Sequence, residues 1–377
     1  MPYYVNNNNT IHFPGLNNLR FLAAIVVLVF HQEYKKKLLG FEYHLLDKLT
    51  IIGDLGVTLF FVLSGFLITY LLIAEKNATN TIKIKKFYMR RILRIWPLYY
   101  LILGLGFFIL PHIGFFNLPT TALIDTTSFL QLVLFFFFFA NIGFSIYGNL
   151  SYIDQTWSVA VEEQFYLIWP FIIKYGRNIL PVLWVIIIIF AGARGFVGSI
   201  YQHGEIYRKA YGILYYLRID NMAVGGVFAY ILFYKKTEAL KLIFNKYLQG
   251  VNMVLLAVLW GAGYVIPYIH HFAYAIMFGI IIINVAASSN AIFQVKNRLV
   301  DYLGQISYGI YMYHNIMIVA SLKLCANFLG SSSTAFFIVS YSVSILLTLI
   351  VAHLSYQYIE KYFLSFKNRY AVVKSSN

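Results

Sequence analysis

The chain alternates long apolar segments with short polar ones. A helix needs roughly 20 predominantly apolar residues to cross the hydrocarbon core of a bilayer. Ten segments approach that length and composition, namely 16–33, 52–74, 92–110, 158–174, 180–196, 214–234, 250–267, 271–289, 302–324 and 335–359. The pattern therefore predicts an all-α integral membrane protein with about ten transmembrane helices.

The distribution of lysine and arginine bears on whether a further apolar segment, 129–147, also crosses the membrane. Without that crossing, 20 basic residues lie on the face of the N-terminus and 9 on the other face; with it, the division is 13 and 16. Cytoplasmic loops of membrane proteins carry the excess of basic residues. The sequence therefore predicts ten spans, cytoplasmic N- and C-termini, and a re-entrant or interfacial segment at 129–147 on the outer side.

Composition supports this interpretation and narrows the classes of function. Hydrophobic residues make up 60% of the chain and charged residues 11%, with a formal net charge of +15. Because the basic residues are dispersed between apolar segments, the sequence favours contact with membrane lipids and argues against nucleic acid as a partner. No basic segment and small-residue cleavage site mark the N-terminus as a signal peptide. The lone cysteine, Cys325, is expected to pack in a span, and the sequence shows no metal-binding cluster.

One arginine and one histidine flank the apolar part of the first span. Ten uncharged residues separate Arg20 from His31, and a helix places their Cα atoms about 16 Å apart. Ionisable side chains are costly at membrane depth and often mark a functional site there. We therefore expect Arg20, at the cytoplasmic end of the span, and His31, towards its outer end, to take part in function.

Arginines also cluster at the start of the third span. Arg91 and Arg94 are three residues apart and share one helix face, and Arg90 precedes them. Guanidinium groups bind phosphate bidentately, and a helix N-terminus favours anions. These arginines are therefore candidates for binding a phosphate-bearing ligand. The alternative is a positive anchor against anionic lipid headgroups.

Polar residues gather on the outer side where the fourth span begins, and they include Trp157, Glu162 and Glu163. Adjacent residues of a helix point in different directions, so at most one of the two glutamates is expected to face a given cavity. A carboxylate at the depth of His31 could orient the imidazole and raise its basicity. The alternative is a solvated acidic cap at the helix start.

A second polar pair precedes the sixth span. Arg218 and Asp220 are two residues apart and fall on the same predicted side of the membrane as His31. They could bind substrate, or they could merely pair with each other. The sequence leaves both interpretations open.

Five segments, in this order, resemble the membrane-bound acyltransferase 3 family, whose members include O-acetyltransferases of O-antigens, peptidoglycan and exopolysaccharides. The resemblance runs from Gly15 to Glu360. The segments are Arg20 to His31, the run Gly53 to Ile68 with its Ser64-Gly65-Phe66-Leu67, the pair Arg91 and Arg94, the run Trp157 to Tyr166, and Ile306-Ser-Tyr-Gly-Ile-Tyr-Met-Tyr-His314.

The resemblance implies a ten-span enzyme of the cell inner membrane that passes an acyl group, usually acetyl from cytoplasmic acetyl-CoA, to a hydroxyl of a cell-surface or lipid-linked glycan. By position, Arg20 and His31 match the family's first-span pair, and Arg91 and Arg94 match the arginines associated with the donor. Glu162 and Glu163 match the acidic pair of the tryptophan-led motif, which Trp157 opens. Acetyl-CoA is then a donor substrate, and no permanently bound cofactor is expected.

These matches suggest a mechanism. The phosphates of CoA would rest on Arg91 and Arg94, with Arg90 as a third contact, and His31 would act as general base with one glutamate orienting it. An intermediate acylated on His31 is the alternative route. The candidate oxyanion donors are Ser64, Tyr308 and Arg20. Ser64 and Gly65 could instead serve close helix packing, and Tyr308, Tyr311 and His314, which cover parts of one helix face, could line a glycan path or merely pack.

The predicted organisation has three parts: a flexible tail at 1–14, the transmembrane acyltransferase domain at 15–360, and a basic cytoplasmic tail at 361–377. Some family members carry an extracytoplasmic hydrolase-like domain that completes the transfer. Because the sequence ends shortly after Glu360, we expect this chain to act alone or with a separate extracytoplasmic protein.

Two other classes of protein fit parts of the pattern. A transporter or flippase of a lipid-linked glycan would also bury arginine and histidine, but it gives no reason for an arginine pair opposite a histidine and an acid. A membrane scaffold or sensor needs no buried charge and should tolerate His31→Ala. Turnover of a thioester separates the enzyme from the transporter.

Overall fold

The computed structural model describes residues 4–6, 10–13, 15–118, 128–148, 150, 152–200, 203–267, 269–294, 297–331, 333–370 and 374–375. These residues form sixteen α-helices: α1 Leu16–Leu38, α2 Leu46–Thr79, α3 Ile84–Gly104, α4 Phe129–Phe136, α5 Ala140–Tyr147, α6 Thr156–Tyr175, α7 Leu180–Ile200, α8 Glu205–Tyr216, α9 Ile219–Phe233, α10 Thr237–Ile243, α11 Lys246–Gly261, α12 His270–Ala287, α13 Arg298–Gln305, α14 Ser307–Leu329, α15 Thr334–Ser355 and α16 Lys361–Lys367.

The protein is a helical membrane protein, as its sequence predicts. Within the described residues, five helical segments are long and apolar enough to cross a membrane: Leu46–Thr79, Ile84–His112, Leu180–Ile200, His270–Ala287 and Thr334–Lys367. Helices α10 and α11 together add a sixth, bent by 55°. Ten spans therefore remain a prediction.

Three further long helices, α1, α6 and α14, carry polar residues along their length. Those residues include Arg20 and His31 in α1, Glu162 in α6 and His314 in α14. Such residues lower the apolar character of a helix, and they persist in membranes where they face the interior of the bundle. The helices that look least like membrane spans thus hold most of the predicted site.

The ambiguous segment 129–147 folds as two short helices, α4 and α5. Each has eight residues and is therefore about 12 Å long, too short to cross a bilayer alone. Phe138, between them, adopts a left-handed backbone with φ 60°, which turns the chain. The segment is a broken hairpin rather than one continuous helix.

Helix α2 lies at the centre of the bundle and packs closely against α9. A Cβ atom added at Gly65 would collide with the backbone of Met222 in α9, and one at Gly225 would collide with the backbone of Val62 in α2. Small residues let membrane helices approach this closely. Gly65 therefore serves close helix packing, as one interpretation of Ser64-Gly65 predicts.

Three short strands join the ends of the chain. Strand β1 (Tyr4–Asn6) pairs antiparallel with β2 (Thr10–His12), and β2 pairs parallel with β3 (Lys374–Ser375). The segment predicted as a flexible tail, 1–14, thus contains two strands. Ile11 and Phe13 of this segment line the cavity described below.

Candidate active site

A cavity open to solvent lies between α1, α2, α3, α6 and α14. Three arginines line it: Arg20 from α1, and Arg91 and Arg94 from α3. The sequence separates Arg20 from the other two by about 70 positions, and the fold brings them to one chamber. This gathering of cations is the most distinctive property of the cavity.

The arginines are held differently. Arg20 donates to Asn17 Oδ1 at 2.8 Å, and Asn17 in turn donates to Asp301 Oδ1 at 3.0 Å. The guanidinium of Arg91 lies 5.8 Å from the ring centre of Tyr166, and its Nε is buried without a hydrogen-bond partner among the described residues. Arg91 thus lines the cavity with donor capacity that no described residue uses.

Arg90 does not line this cavity. It donates to the carbonyl of Tyr370 at 2.7 Å and to Glu75 Oε2 at 3.3 Å. The third arginine beside Arg91 and Arg94 is Arg20 instead. Helix α3 also begins at Ile84, about two turns before Arg91, so the expected contribution of a helix N-terminus to anion binding there is wrong.

The two adjacent glutamates of α6 face different surroundings. Glu162 lines the cavity and accepts hydrogen bonds from Ser64 Oγ at 2.7 Å and Tyr166 Oη at 3.2 Å. Glu163 accepts from Trp96 Nε1 at 2.9 Å, on the side of α3. Helix α6 begins at Thr156, so neither glutamate is a solvated cap at its start, and Glu162 is the one that faces the cavity.

Among the described residues, His31 has no hydrogen bond to Glu162 or Glu163. Its Nδ1 atom is 3.0 Å from the carbonyl oxygen of Val27 and 3.2 Å from Nε2 of His314 in α14. The two imidazole rings meet edge to face, with centroids 4.8 Å apart. The expected hydrogen bond from His31 to a glutamate is absent among the described residues, and His314 stands in its place.

Tyr311 lies between the cavity and the histidines. It lines the cavity, its ring centre is 5.6 Å from that of His314, and its hydroxyl is 2.7 Å from Ser158 Oγ. Tyr308 also lines the cavity and donates to the carbonyl of Ile95 at 2.8 Å. The far wall of the cavity therefore adjoins the histidine pair through one aromatic side chain.

None of the three expected oxyanion donors has a hydrogen bond to His31. The hydroxyl of Ser64 is engaged by Glu162 and Tyr166, and that of Tyr308 by a backbone carbonyl. Arg20 lies eleven residues away along α1, about 16 Å at the helical rise. All three residues line the arginine cavity instead.

A buried ion pair lies close to the histidines. Lys35 of α1 donates to Asp154, and the Lys35 side chain is fully buried. Burial raises the pKa of the Asp154 carboxyl, and the Lys35 ammonium opposes that rise. Sequence reasoning missed this pair because Lys35 looks like one of three loop lysines; its helical spacing of four from His31 was the available signal.

Arg218 and Asp220 do not pair with each other. Arg218 donates to Asp54 Oδ1 at 2.5 Å, and Asp54 Oδ2 lies 2.6 Å from His271 Nε2. Asp220 accepts two bonds from Arg194, at 3.1 and 2.5 Å. Of the two interpretations left open by the sequence, mutual pairing is therefore wrong, because each residue meets a partner from a different helix.

Trp157 joins this second network. Its ring lies 5.3 Å from the guanidinium of Arg218 and 5.0 Å from the ring of Tyr216. Trp157, Arg218 and Asp220 are not among the residues that line the arginine cavity. They form a separate polar layer beside α9.

Comparison with known proteins identifies the family of this chain. A family model described as "Acyltransferase domain" matches residues 13–353. The chain belongs to this acyltransferase family. The match includes every predicted site residue of α1, α2, α3, α6 and α14.

Curated relatives of this acyltransferase include two proteins named O-acetyltransferase OatA, from Staphylococcus aureus strains NCTC 8325 / PS 47 and COL. Each is 27% identical to this chain in an alignment that covers 93% of this chain. The chain covers 57% of each relative, so it spans little more than half of their length. No solved structure matches the chain significantly.

Proposed function

We propose that the chain transfers an acetyl group from acetyl-CoA on the cytoplasmic side to a hydroxyl of a cell-surface or lipid-linked glycan. The observation that carries the proposal is the open cavity lined by Arg20, Arg91 and Arg94, whose wall at Tyr311 adjoins His31 and His314. Membership of an acyltransferase family and relatives named O-acetyltransferase support the same reaction.

Three arginines in one chamber suit a ligand with several phosphate groups. The cavity lining also includes one carboxylate, that of Glu162, which is engaged by two hydroxyl groups. The chamber therefore has an excess of positive charge, and guanidinium groups bind phosphate with charge-assisted hydrogen bonds. The phosphates and ribose of CoA would bind here, at the end of α1 proposed to face the cytoplasm.

The acyl group would reach His31 through the thin arm of CoA. The distance from Arg20 to His31 along α1 is about 16 Å, which an extended pantetheine chain can cover. The arm would run from the arginines past Ser64 and Glu162 towards Tyr311. We propose that Tyr311 moves or lets the thioester pass, since it lies between the cavity and the histidines.

His31 is proposed as the general base. Its Nε2 takes the proton of the acceptor hydroxyl while the hydroxyl oxygen attacks the thioester carbon. A carbon–oxygen bond forms and the carbon–sulfur bond breaks, so the products are an ester and CoA thiolate. The thiolate then takes the proton back from the imidazolium, which restores neutral His31.

The topology belongs to the same proposal. Ten spans in the cell inner membrane, with both termini cytoplasmic, would place the arginine cavity at the donor side and His31 towards the acceptor side. A cysteine-reactive probe applied to intact cells should then label an engineered cysteine at His44, between α1 and α2, and leave one at Asn80 unlabelled. The reverse labelling would contradict the orientation.

The function is tested by acetyl transfer in membranes. Membranes with wild-type protein, His31→Ala or the control His353→Ala receive labelled acetyl-CoA and the host's surface glycan, at equal protein amounts. We expect label in an alkali-labile ester with wild type and His353→Ala, and loss of that label with His31→Ala. Equal labelling by all three would remove His31 as the base, and no labelling by wild type would favour a transporter.

A further inference from the structure

His314 is buried, with 1% of its surface exposed, and its ring contacts the proposed base. A buried imidazole needs partners for its ring nitrogens, and those partners determine which nitrogen carries the proton. Both hydrogen-bonding atoms of His314 have partners, namely the carbonyl of Tyr311 and the ring of His31. The protonation of the pair therefore follows from its geometry.

The carbonyl of Tyr311 fixes the proton of His314. Nδ1 of His314 lies 2.6 Å from that oxygen, and a carbonyl oxygen can only accept, so Nδ1 carries the hydrogen. In a neutral imidazole the other nitrogen is then an acceptor. Nε2 of His314 thus presents a lone pair to His31.

The carbonyl of Val27 fixes the proton of His31 in the same way. Nδ1 of His31 lies 3.0 Å from that oxygen and 3.2 Å from Nε2 of His314, and two acceptors require a hydrogen on the atom between them. A second proton on His314 would place two N–H groups against each other, so His314 is neutral. In neutral His31, the form that can act as a base, Nε2 is then left without a proton.

We propose that His314 is a positioning residue that holds His31 with its Nε2 atom free to accept the proton of the acceptor hydroxyl. The catalytic half of this inference rests on the proposed function. When His31 takes that proton, its Nδ1–H bond to His314 becomes charge-assisted and roughly twice as strong as a neutral one. His314 thereby stabilises the charged intermediate without touching substrate.

This arrangement replaces the carboxylate that usually orients a catalytic histidine. Among the described residues no hydrogen bond joins a carboxylate to either ring: Glu162 is bonded to Ser64 and Tyr166, and Asp154 to Lys35 through one oxygen. Lys35 follows His31 by four residues on α1, about one helical turn, and a positive charge so close opposes a second one on His31. A neutral acceptor therefore fits this position, because it leaves His31 uncharged before the reaction.

The ring protons can be observed directly. Protein labelled with nitrogen-15 at histidine gives separate signals for protonated and bare ring nitrogens, and the signals of His31 are identified by their loss in His31→Gln. We expect a protonated Nδ1 and a bare Nε2 in wild type. In His314→Leu one of the two acceptors is gone, so we expect a larger fraction of His31 with the proton on Nε2.

Kinetics tests the catalytic half. His314→Leu should lower kcat about 10- to 100-fold, the range for loss of one hydrogen bond to a charged group, with KM for acetyl-CoA within about twofold. His314→Gln can place an amide oxygen where Nε2 stands and should recover several-fold of the loss. The control is His353→Gln. Among the described residues, the His353 side chain has a hydrogen bond only with Tyr302, so this variant should keep wild-type kcat.

The outcomes separate this inference from the proposed function. A wild-type His31 with its proton on Nε2, or a folded His314→Leu enzyme with wild-type kcat, overturns the inference. Equal losses in His314→Leu and His314→Gln, with both proteins monodisperse, overturn the acceptor role as well. If wild type transfers no acetyl group, the proposed function fails, and the nitrogen spectra still decide which atom of His31 is bare.

Discussion

The two ends of the candidate site handle charge in opposite ways. At one end, three guanidinium groups share a chamber open to solvent, and Glu162 balances them only in part. At the other end, two imidazoles contact each other, and the Nδ1 atom of each lies within hydrogen-bond distance of a backbone carbonyl. Helix α1 carries a key residue of each end, Arg20 and His31, so one rigid element fixes their separation.

The difference suggests a division of labour between affinity and reaction. Fixed positive charge attracts phosphate and is useful for binding, whereas a base must be uncharged to accept a proton. Placing the two about 16 Å apart weakens the field of the arginines at the imidazole, which would otherwise oppose formation of the imidazolium. Substitutions at the two ends should therefore affect different kinetic constants.

The largest expected effect is at the histidine end. His31→Gln should lower kcat about 10³-fold, within the range for loss of a general base, while acetyl-CoA binds with unchanged Kd. The measurement is single-turnover acetyl transfer together with equilibrium binding of acetyl-CoA to the purified protein. A fall in donor affinity as large as the fall in rate would show that the two ends are not independent.

A smaller loss, confined to binding, is expected at the arginine end. Arg91→Ala combined with Arg94→Ala should weaken acetyl-CoA binding about 100-fold, since each charge-assisted hydrogen bond contributes about 1.5–3 kcal/mol and the lost bonds are partly replaced by water. Isothermal titration measures the change. The matched control is Arg90→Ala on the same helix, whose side chain is engaged by Glu75 and the carbonyl of Tyr370. Binding unaffected by the double substitution would remove the donor site.

Much of this division was predictable from the sequence. The spacing of Arg20 and His31, the pair Arg91 and Arg94, and the family are all sequence signals, because each rests on local periodicity or on motif order. That Arg20 joins Arg91 and Arg94 in one chamber is a tertiary fact. No local pattern relates positions that lie on different helices.

The partners of the polar side chains were less predictable. Sequence reasoning could not choose between Glu162 and Glu163, which differ only in whether α2 or α3 faces them, and it assigned His31 a carboxylate partner. His314 was noted at the end of the last family segment, and no partner was assigned to it. Such pairings depend on helix rotation, which side-chain packing decides after the helices form.

The adjacent glutamates offer a test of moderate size. Glu162→Gln should lower kcat/KM about tenfold, because the change alters a hydrogen-bonded group that lines the cavity beside Ser64 and Tyr166. Glu163→Gln keeps an acceptor for Trp96 Nε1 and should stay within about twofold of wild type. Comparing the two at equal protein amounts tests orientation alone, and the opposite ranking would show that Glu163 is the one that faces the substrate.

The smallest expected effect is that salt weakens binding at the arginine end and leaves the reaction at the histidine end almost unchanged. Screening at 0.5 M salt shortens the reach of exposed charges to a few ångströms, so the Kd of acetyl-CoA should rise about threefold to tenfold between 0.05 and 0.5 M sodium chloride. The single-turnover rate at saturating donor should change less than about twofold, because His314 is buried and His31 partly buried, and salt screens such groups much less than exposed ones. In the Arg91→Ala, Arg94→Ala protein the salt dependence of Kd should flatten. A rate that falls with salt while Kd stays constant would place the sensitive charges beside His31, and the division between the two ends would then be wrong.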